Sequence, residues 1–186
     1  LARSAKGLGV DVEFLSPDGF PTVPLPTYPG LRLALPRRGR IARRIEEAKP
    51  DAIMHFAANA LVGESMTNPG KYFRNNVANG LKLLDAAVAC GVKKFVFSST
   101  CATYGPPDRV PMAEDLPQRP INPYGESKLM FEKMLQWYQR IHGLEFIAFR
   151  YFNAAGASER FGEHHRIETH LIPNVLQVAL GRKPRC

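Results

Sequence analysis

The sequence predicts an α/β fold built on a mostly parallel, doubly wound sheet. Two observations carry this. Between residues 50 and 150, short apolar runs alternate with stretches of helical periodicity. The order strand, helix, strand, helix, strand at this spacing leaves room for crossover helices between strands, which is the signature of parallel βαβ units.

The elements follow in order. "GVDVEFLS" (9–16) reads as a strand, with the end of a helix before it. Residues 17–36 carry six prolines and no clear periodicity. "RIARRIEEAKP" (40–50) reads as a helix feeding the next strand. "DAIMHFAA" (51–58) is a short apolar run after a proline, the mark of a buried strand. In "NPGKYFRNNVANGLKLLDAAVACG" (68–91), Phe73, Val77, Leu84 and Val88 recur at helical spacing with Leu81 beside them. Asn68-Pro69 opens that helix and Gly91 closes it. "KKFVFSST" (93–100) is a second buried strand with hydroxyl residues at its carboxyl end, followed by a proline-rich loop to Pro123. "YGESKLMFEKMLQWYQRIHG" (124–143) is a helix whose apolar face is marked by Met130, Met134 and Ile141, with Gly143 as its stop. "LEFIAFRYFN" (144–153) is a third strand, and "THLIPNVLQVALG" (169–181) a last helix with Pro173 in its first turn. In such sheets ligands bind outside the carboxyl ends of the strands, where Ser99, Thr100, Phe152 and Asn153 are expected to project.

Composition bounds the function. The chain has 186 residues, 45% hydrophobic and 23% charged, which is ordinary for a globular domain. No apolar run approaches the length of a membrane span, and no signal peptide is visible. Cys90, Cys101 and Cys186 form an odd, scattered set, which suggests thiols in a reducing, cytoplasmic setting. Much of the formal charge of +8 comes from Arg32, Arg37, Arg38, Arg40, Arg43, Arg44 and Lys49, with only Glu46 and Glu47 among them. Such a run reads as a solvated face; no aromatic residues interleave with it, and neither a nucleic acid nor a membrane is expected as partner.

"NPYGESK" (122–128) places Tyr124 four residues before Lys128, one helical turn apart on a shared face. A free phenol has a pKa of about 10 and is a poor base at neutral pH. A lysine ammonium 5–6 Å away, at an effective dielectric of about 20, favours the phenolate by roughly 3 kcal/mol. Tyr124 then becomes able to exchange a proton with a sugar hydroxyl. The pattern alone is common and equally describes a half-exposed helix face. Thr100 adds weight, because a hydroxyl at that strand end can bridge a substrate oxygen and Tyr124; its plain alternative is to satisfy the backbone there.

Seven blocks in order, "DAIMHFAA", "VGES", "NNV", "KKFVFSST", "YG" at 104–105, "NPYGESKLMFEKML" and "RYFNAAGA", resemble the extended short-chain dehydrogenase/reductase family, and within it the UDP-glucose 4-epimerase branch. The likeness runs from about residue 40 to about residue 183. It implies a Rossmann-like NAD-binding core over 40–160, an irregular N-terminal segment over 1–39, and the start of a nucleotide-sugar-binding region over 161–186. It further implies Tyr124 as catalytic base, Lys128 as the lysine that binds the cofactor ribose and lowers the tyrosine pKa, and Thr100 as the family's Ser/Thr. Phe56, Ala57, Ala58, Asn75, Lys128 and Phe152 would bind the cofactor. Thr100, Tyr124, Asn153, His170 and Leu171 would contact a UDP-sugar. The implied reaction, part of galactose metabolism, interconverts UDP-glucose and UDP-galactose by transient oxidation at C4 with tightly bound NAD, in a homodimer. Related dehydratases carry an acid directly after the crevice threonine; here Cys101 and Ala102 follow Thr100, which favours an epimerase. A nucleotide-sugar reductase or dehydrogenase, and a non-catalytic domain, remain as rivals.

The chain departs from the family at its beginning. Gly7 and Gly9 do not sit between a strand and a helix and lack a third glycine. Residues 1–16 read as the end of a first helix and the second strand, so the glycine turn is expected before Leu1. Leu15 and Ser16 stand where an acid for the adenosine ribose is expected, with Asp18 a weak substitute. His164, His165, Glu168 and His170 have a metal-like composition but no zinc spacing, and read as a polar loop with no metal. Phe131, Trp137 and Tyr138 read as core or as a helix-pair dimer face. The 186-residue chain alone is expected to be inactive or nearly so: incubated with NAD and UDP-glucose it should form no UDP-galactose, and clear turnover would overturn this.

Overall fold

A computed structural model describes residues 39–162 and 168–185. The expected strand over 9–16, the irregular segment, Gly7, Gly9, Asp18, His164, His165 and Cys186 lie outside the described residues. The described residues fall into two compact units, one ending at Tyr151 and the other beginning at Phe152.

The first unit contains α1 (Arg40–Ala48), β1 (Ala52–His55), α2 (Val62–Thr67), α3 (Pro69–Tyr72), a π-helix (Phe73–Asn79), α4 (Gly80–Ala89), β2 (Lys94–Thr100), a 3-10 turn (Cys101–Thr103), α5 (Pro123–His142) and β3 (Glu145–Tyr151). The three described strands are parallel and lie in the order β1-β2-β3. Each crossover contains a helix, as parallel pairing requires. Register pairs Ala52 with Lys94 and Thr100 with Tyr151.

Local chemistry starts and stops the helices where the sequence indicates. Asn68 caps α3 by accepting from the Lys71 amide, with Pro69 in the first turn. Asn122 caps α5 by accepting from the Gly125 amide at 2.8 Å, and Gly143 ends it in the left-handed conformation. α2 is an element the periodicity does not announce: it is six residues long, and its only buried residue is Ser65.

One face of the sheet carries the core. Ile41 and Ile45 from α1, Leu84 and Ala87 from α4, and Phe131 and Leu135 from α5 pack on Phe95 and Phe97 of β2. Phe97 and Phe131 stack with centroids 4.4 Å apart. Burying each such side chain stabilises the fold by roughly 1.5–3 kcal/mol. The opposite face is open among the described residues: Met54, Ile147, Phe149 and Tyr151 are all exposed. β1 is therefore half-buried, not buried as expected, because only its Ile53 and His55 side faces the core.

Two helix faces differ from expectation. In 69–89 the inward residues are Tyr72, Asn76, Gly80 and Leu84, not Phe73 and Val77. The π-helix adds a residue to the turn and shifts the phase, which a 3.6-residue periodicity does not anticipate. On α5 the buried stripe is Lys128, Phe131, Glu132, Leu135 and Tyr138, whereas Met130 and Ile141 are exposed. Of the three residues expected on the apolar face, Met134 does pack against the core, while Phe131 and Leu135 fill it.

The second unit contains α6 (Leu171–Ala179), with Pro173 in its first turn as expected. Lys183 closes its end through a 2.6 Å bond to Asn174. No helix among the described residues is long and apolar enough to cross a membrane.

α4 and α5 touch where Gly80 meets Phe131. A Cβ on Gly80 would lie 2.3 Å from the Phe131 ring. Gly80→Ala should therefore lower stability by about 1–3 kcal/mol despite alanine's higher helix propensity. Urea unfolding checks this; an unchanged or raised midpoint would contradict the close approach.

Candidate active site

β2 ends in Ser99 and Thr100, and its pleat sends their side chains to opposite faces. Thr100 is nearly buried, and its oxygen accepts from the Ala102 amide at 3.2 Å, so it does cap the following turn. The same side chain lies near the Tyr124 phenol and favours its ionised form. Ser99 does not project into a crevice as expected. It lies 3% exposed on the helix side, hydrogen-bonded to Glu132.

Tyr124 reaches Thr100 because α5 begins very close to the 3-10 turn. A Cβ at Gly125 would stand 2.5 Å from the Ala102 carbonyl oxygen, so only glycine lets this helix end approach so closely. Lys128, one turn on, is 4% exposed. Its Nζ donates to the Ser98 carbonyl at 2.7 Å and lies 4.9 Å from the Phe97 ring centroid and 5.9 Å from that of Tyr124. Thr100, Tyr124 and Lys128 are thus brought together.

Burial dominates the electrostatics of this cluster. It pushes Lys128 down to about 8. It also pushes the Tyr124 phenol above the ordinary tyrosine range; the Thr100 side chain opposes the rise and the Cys101 thiol adds to it. The expected lowering of the tyrosine by Lys128 is therefore not observed. The ammonium is engaged with the Ser98 carbonyl, and loss of water around the phenol is the largest influence on Tyr124. Tyr72 packs edge-on against Tyr124 at 6.4 Å, and burial, reinforced by Glu64, raises its own phenol to about 12.

Among the residues expected to hold a cofactor, Phe56, Ala57 and Ala58 form the loop after β1, with Phe56 and Ala57 exposed. Asn75 is half-buried and donates its side-chain amide to Asn76. Phe152, Asn153, His170 and Leu171 belong to the second unit. Phe152, Asn153 and Leu171 are exposed there, and His170 pairs with Glu168 through Nδ1 at 2.8 Å. No group of three or more His, Cys, Asp or Glu able to hold a metal occurs among the described residues.

Four residues around the cluster were not singled out by sequence reasoning. Asn76 and Ser127 bridge the loop after β1 to α5. Glu132, 3% exposed, binds Arg150 at 2.9 Å as well as Ser99 and Gln118. His55 is buried among Phe95, Phe97 and Phe131. A signal for Glu132 was present: it continues the stripe of Tyr124 and Lys128 at a further four residues.

The sequence profile of the NAD dependent epimerase/dehydratase family matches residues 1–185. The UDP-glucose 4-epimerase of Streptococcus mutans is 56% identical over 138 residues, 73% of this chain and 41% of that protein. The UDP-glucose 4-epimerase of Halalkalibacterium halodurans is 54% identical over 137 residues, again 73% of this chain and 41% of that protein. The chain thus spans less than half the length of these curated relatives. The crystal structure of UDP-glucose 4-epimerase from Brucella ovis in complex with NAD superimposes with a TM-score of 0.75 at 48% identity, covering 78% of this chain and 45% of that one. The enzyme from Bifidobacterium longum in complex with NAD+ and UDP superimposes with a TM-score of 0.70 at 36% identity, covering 77% and 44%. With these neighbours, the fold class is α/β and Rossmann-like, with an incomplete parallel sheet.

Burial, with the Lys128 charge adding to it, lowers His55 from 6.5 to about 4. The folded chain keeps this ring neutral, whereas the unfolded chain protonates it below pH 6.5, so unfolding takes up a proton in that window. The stability associated with the neutral ring is complete above pH 6.5 and is lost as pH falls to about 4, by roughly 3 kcal/mol in all. Urea unfolding from pH 7 to 4 should show this component in the native chain and not in His55→Leu. Identical pH dependence in both would overturn it.

Proposed function

The chain belongs to the NAD dependent epimerase/dehydratase family, and from that premise we propose that the protein is an NAD-dependent UDP-glucose 4-epimerase acting through Tyr124, Lys128 and Thr100. The observation that carries this reading is the Thr100–Tyr124–Lys128 cluster, packed against the carboxyl end of β2, where a parallel sheet presents its ligands.

The donor set suits a nicotinamide riboside. Lys128 offers a buried ammonium with N–H groups beyond the one held by Ser98. Asn75 offers an amide, and the open loop Phe56–Ala58 leaves backbone groups accessible after β1. NAD supplies the hydride acceptor and donor for C4 when bound. The chain's residues handle the proton and the geometry. Once its own proton has left to solvent, Tyr124 takes the proton from the sugar O4 as C4 is oxidised and returns it as C4 is reduced. Thr100, close to Tyr124, bridges the phenol and the sugar oxygen. Lys128 holds the ribose and supports the phenolate. Its ammonium, 5.9 Å from the Tyr124 ring centroid, favours the ionised phenol once substrate excludes water. With NAD held by Lys128, Asn75 and the Phe56–Ala58 loop, inversion at C4 would require the 4-keto sugar to present its other face to the ring. Cys101 and Ala102, following Thr100, supply no acid to expel a hydroxyl, in keeping with epimerisation and not dehydration.

Asn153, His170 and Leu171 are assigned to the UDP-sugar, Phe152 to the nicotinamide, residues 40–160 to the NAD-binding core and 161–186 to the start of the nucleotide-sugar region. The exposed Met130, Trp137 and Ile141 on α5 support a homodimer packed through this helix. A cytoplasmic location is in keeping with the odd, scattered set Cys90, Cys101 and Cys186.

In the full-length protein, Tyr124→Phe should reduce the epimerisation rate by roughly 10²–10⁴-fold while bound NAD, read by absorbance and fluorescence, is retained. Lys128 keeps its charge below about pH 8, so the rate should be present below that pH and fall above it. Undiminished turnover in Tyr124→Phe would end this reading.

A further inference from the structure

The π-helix turns one residue fully inward. Asn76 is 3% exposed, and all four hydrogen-bonding positions of its amide are used. Oδ1 accepts from the Asn59 backbone N–H at 2.9 Å and from Asn75 Nδ2 at 3.0 Å. Nδ2 donates to the Asn59 carbonyl and to the Ser127 hydroxyl, both at 3.0 Å. Ser127, itself fully buried, donates to the Tyr124 carbonyl at 2.7 Å. An unbroken series of hydrogen bonds therefore runs from the loop after β1, through one amide and one hydroxyl, to the backbone of Tyr124.

We infer that Asn76 is a positioning residue: it sets the separation between the Phe56–Asn59 loop and the Tyr124–Lys128 turn, and so between the cofactor side and the acid–base side of the site. The inference rests on the epimerase reading for its kinetic consequence. The amide pairs with both backbone groups of Asn59, as a neighbouring strand would, and so holds the loop after β1. Its remaining N–H then ties that loop to α5. A carboxylate of the same shape can keep the Asn59 amide but cannot donate to the Asn59 carbonyl or to Ser127. An aliphatic residue leaves buried polar groups unpartnered on both sides. The wide π turn is what lets Asn75 and Asn76 act in succession, one half-exposed beside the loop and the other buried beneath it.

The test uses the full-length holoenzyme with Asn76→Asp, Ser127→Ala and the pair combined. Asn76→Asp should lower kcat roughly 100-fold, with the UDP-sugar KM changed less than about twofold, because displacement of reacting groups by an ångström costs that much in rate. Ser127→Ala, which cuts only the α5 arm, should cost about tenfold, and the combined variant no more than Asn76→Asp alone, as expected for one shared path. Multiplicative losses, or unchanged kcat in folded variants, would overturn the inference. If the unmutated holoenzyme shows no epimerisation, the functional reading fails and the positioning role is decided by hydrogen exchange on the chain. There, Asn76→Ala should speed exchange at the Asn59 amide at least about tenfold while Phe95 and Phe97 in β2 keep their protection. No change at Asn59, or equal acceleration throughout β2, would overturn it.

Discussion

The carboxylate of Glu132 is the interaction on which the rest of this unit depends. It sits on α5, 3% exposed, and receives Arg150 from β3, Ser99 from β2 and Gln118 from the intervening loop. Arg150 goes on to the Tyr104 hydroxyl at 2.6 Å and the Glu114 carbonyl at 3.2 Å. A buried charge is tolerable only when such partners replace water, and removing one member of a pair like this costs roughly 3–5 kcal/mol. The Glu132 hydrogen bond raises Arg150 further above its usual range. The clamp lies next to Thr100 along β2 and one turn beyond Lys128 along α5. It leaves α5 little freedom to slide along the sheet, and with that freedom goes any variation in where Tyr124 meets Thr100.

Around that clamp the contest is between desolvation and charge, and desolvation prevails at three neighbouring groups. His55 and Lys128 are pushed down, and Tyr124 is pushed up. All three shifts favour neutral forms, as the apolar packing of Phe95, Phe97 and Phe131 requires. At neutral pH His55 and Tyr124 are then uncharged, and Lys128, at about 8, carries the positive charge of the resting site. The proposed proton exchange therefore depends on what substrate binding does to the Lys128 field, not on a tyrosine ionised in advance.

Much of the fold was legible because it follows from nearest-neighbour chemistry. Asn68-Pro69 and Gly143 declare helix ends through their own side chains or backbone preferences, and each stands where it was read, whereas Pro123, read as loop, is the first helical residue behind its Asn122 cap. The Tyr124–Lys128 spacing placed both groups on one face without any tertiary knowledge. What could not be read was the phase within helices. The buried faces of 69–89 and of α5 depend on a π turn and on which aromatic residues fill the core, and neither leaves a mark in hydrophobic periodicity. Asn76, Ser127 and Glu132 were passed over, and Ser99 was placed in the crevice, for the same reason: a polar residue is recognisable as buried only once its partner is in place, and their partners on other elements lie 14 to 51 residues away.

By itself, then, the sequence determined the order of strands and helices, their parallel connection, the family, and the cluster of residues proposed for chemistry, because these rest on local preference, spacing and motif. Only the tertiary structure decided which way Asn76 and Glu132 point, that Ser99 is spent on a clamp, and that burial raises Tyr124. Hydrogen-bond satisfaction and desolvation are properties of three-dimensional surroundings, and distant parts of the chain supply those surroundings.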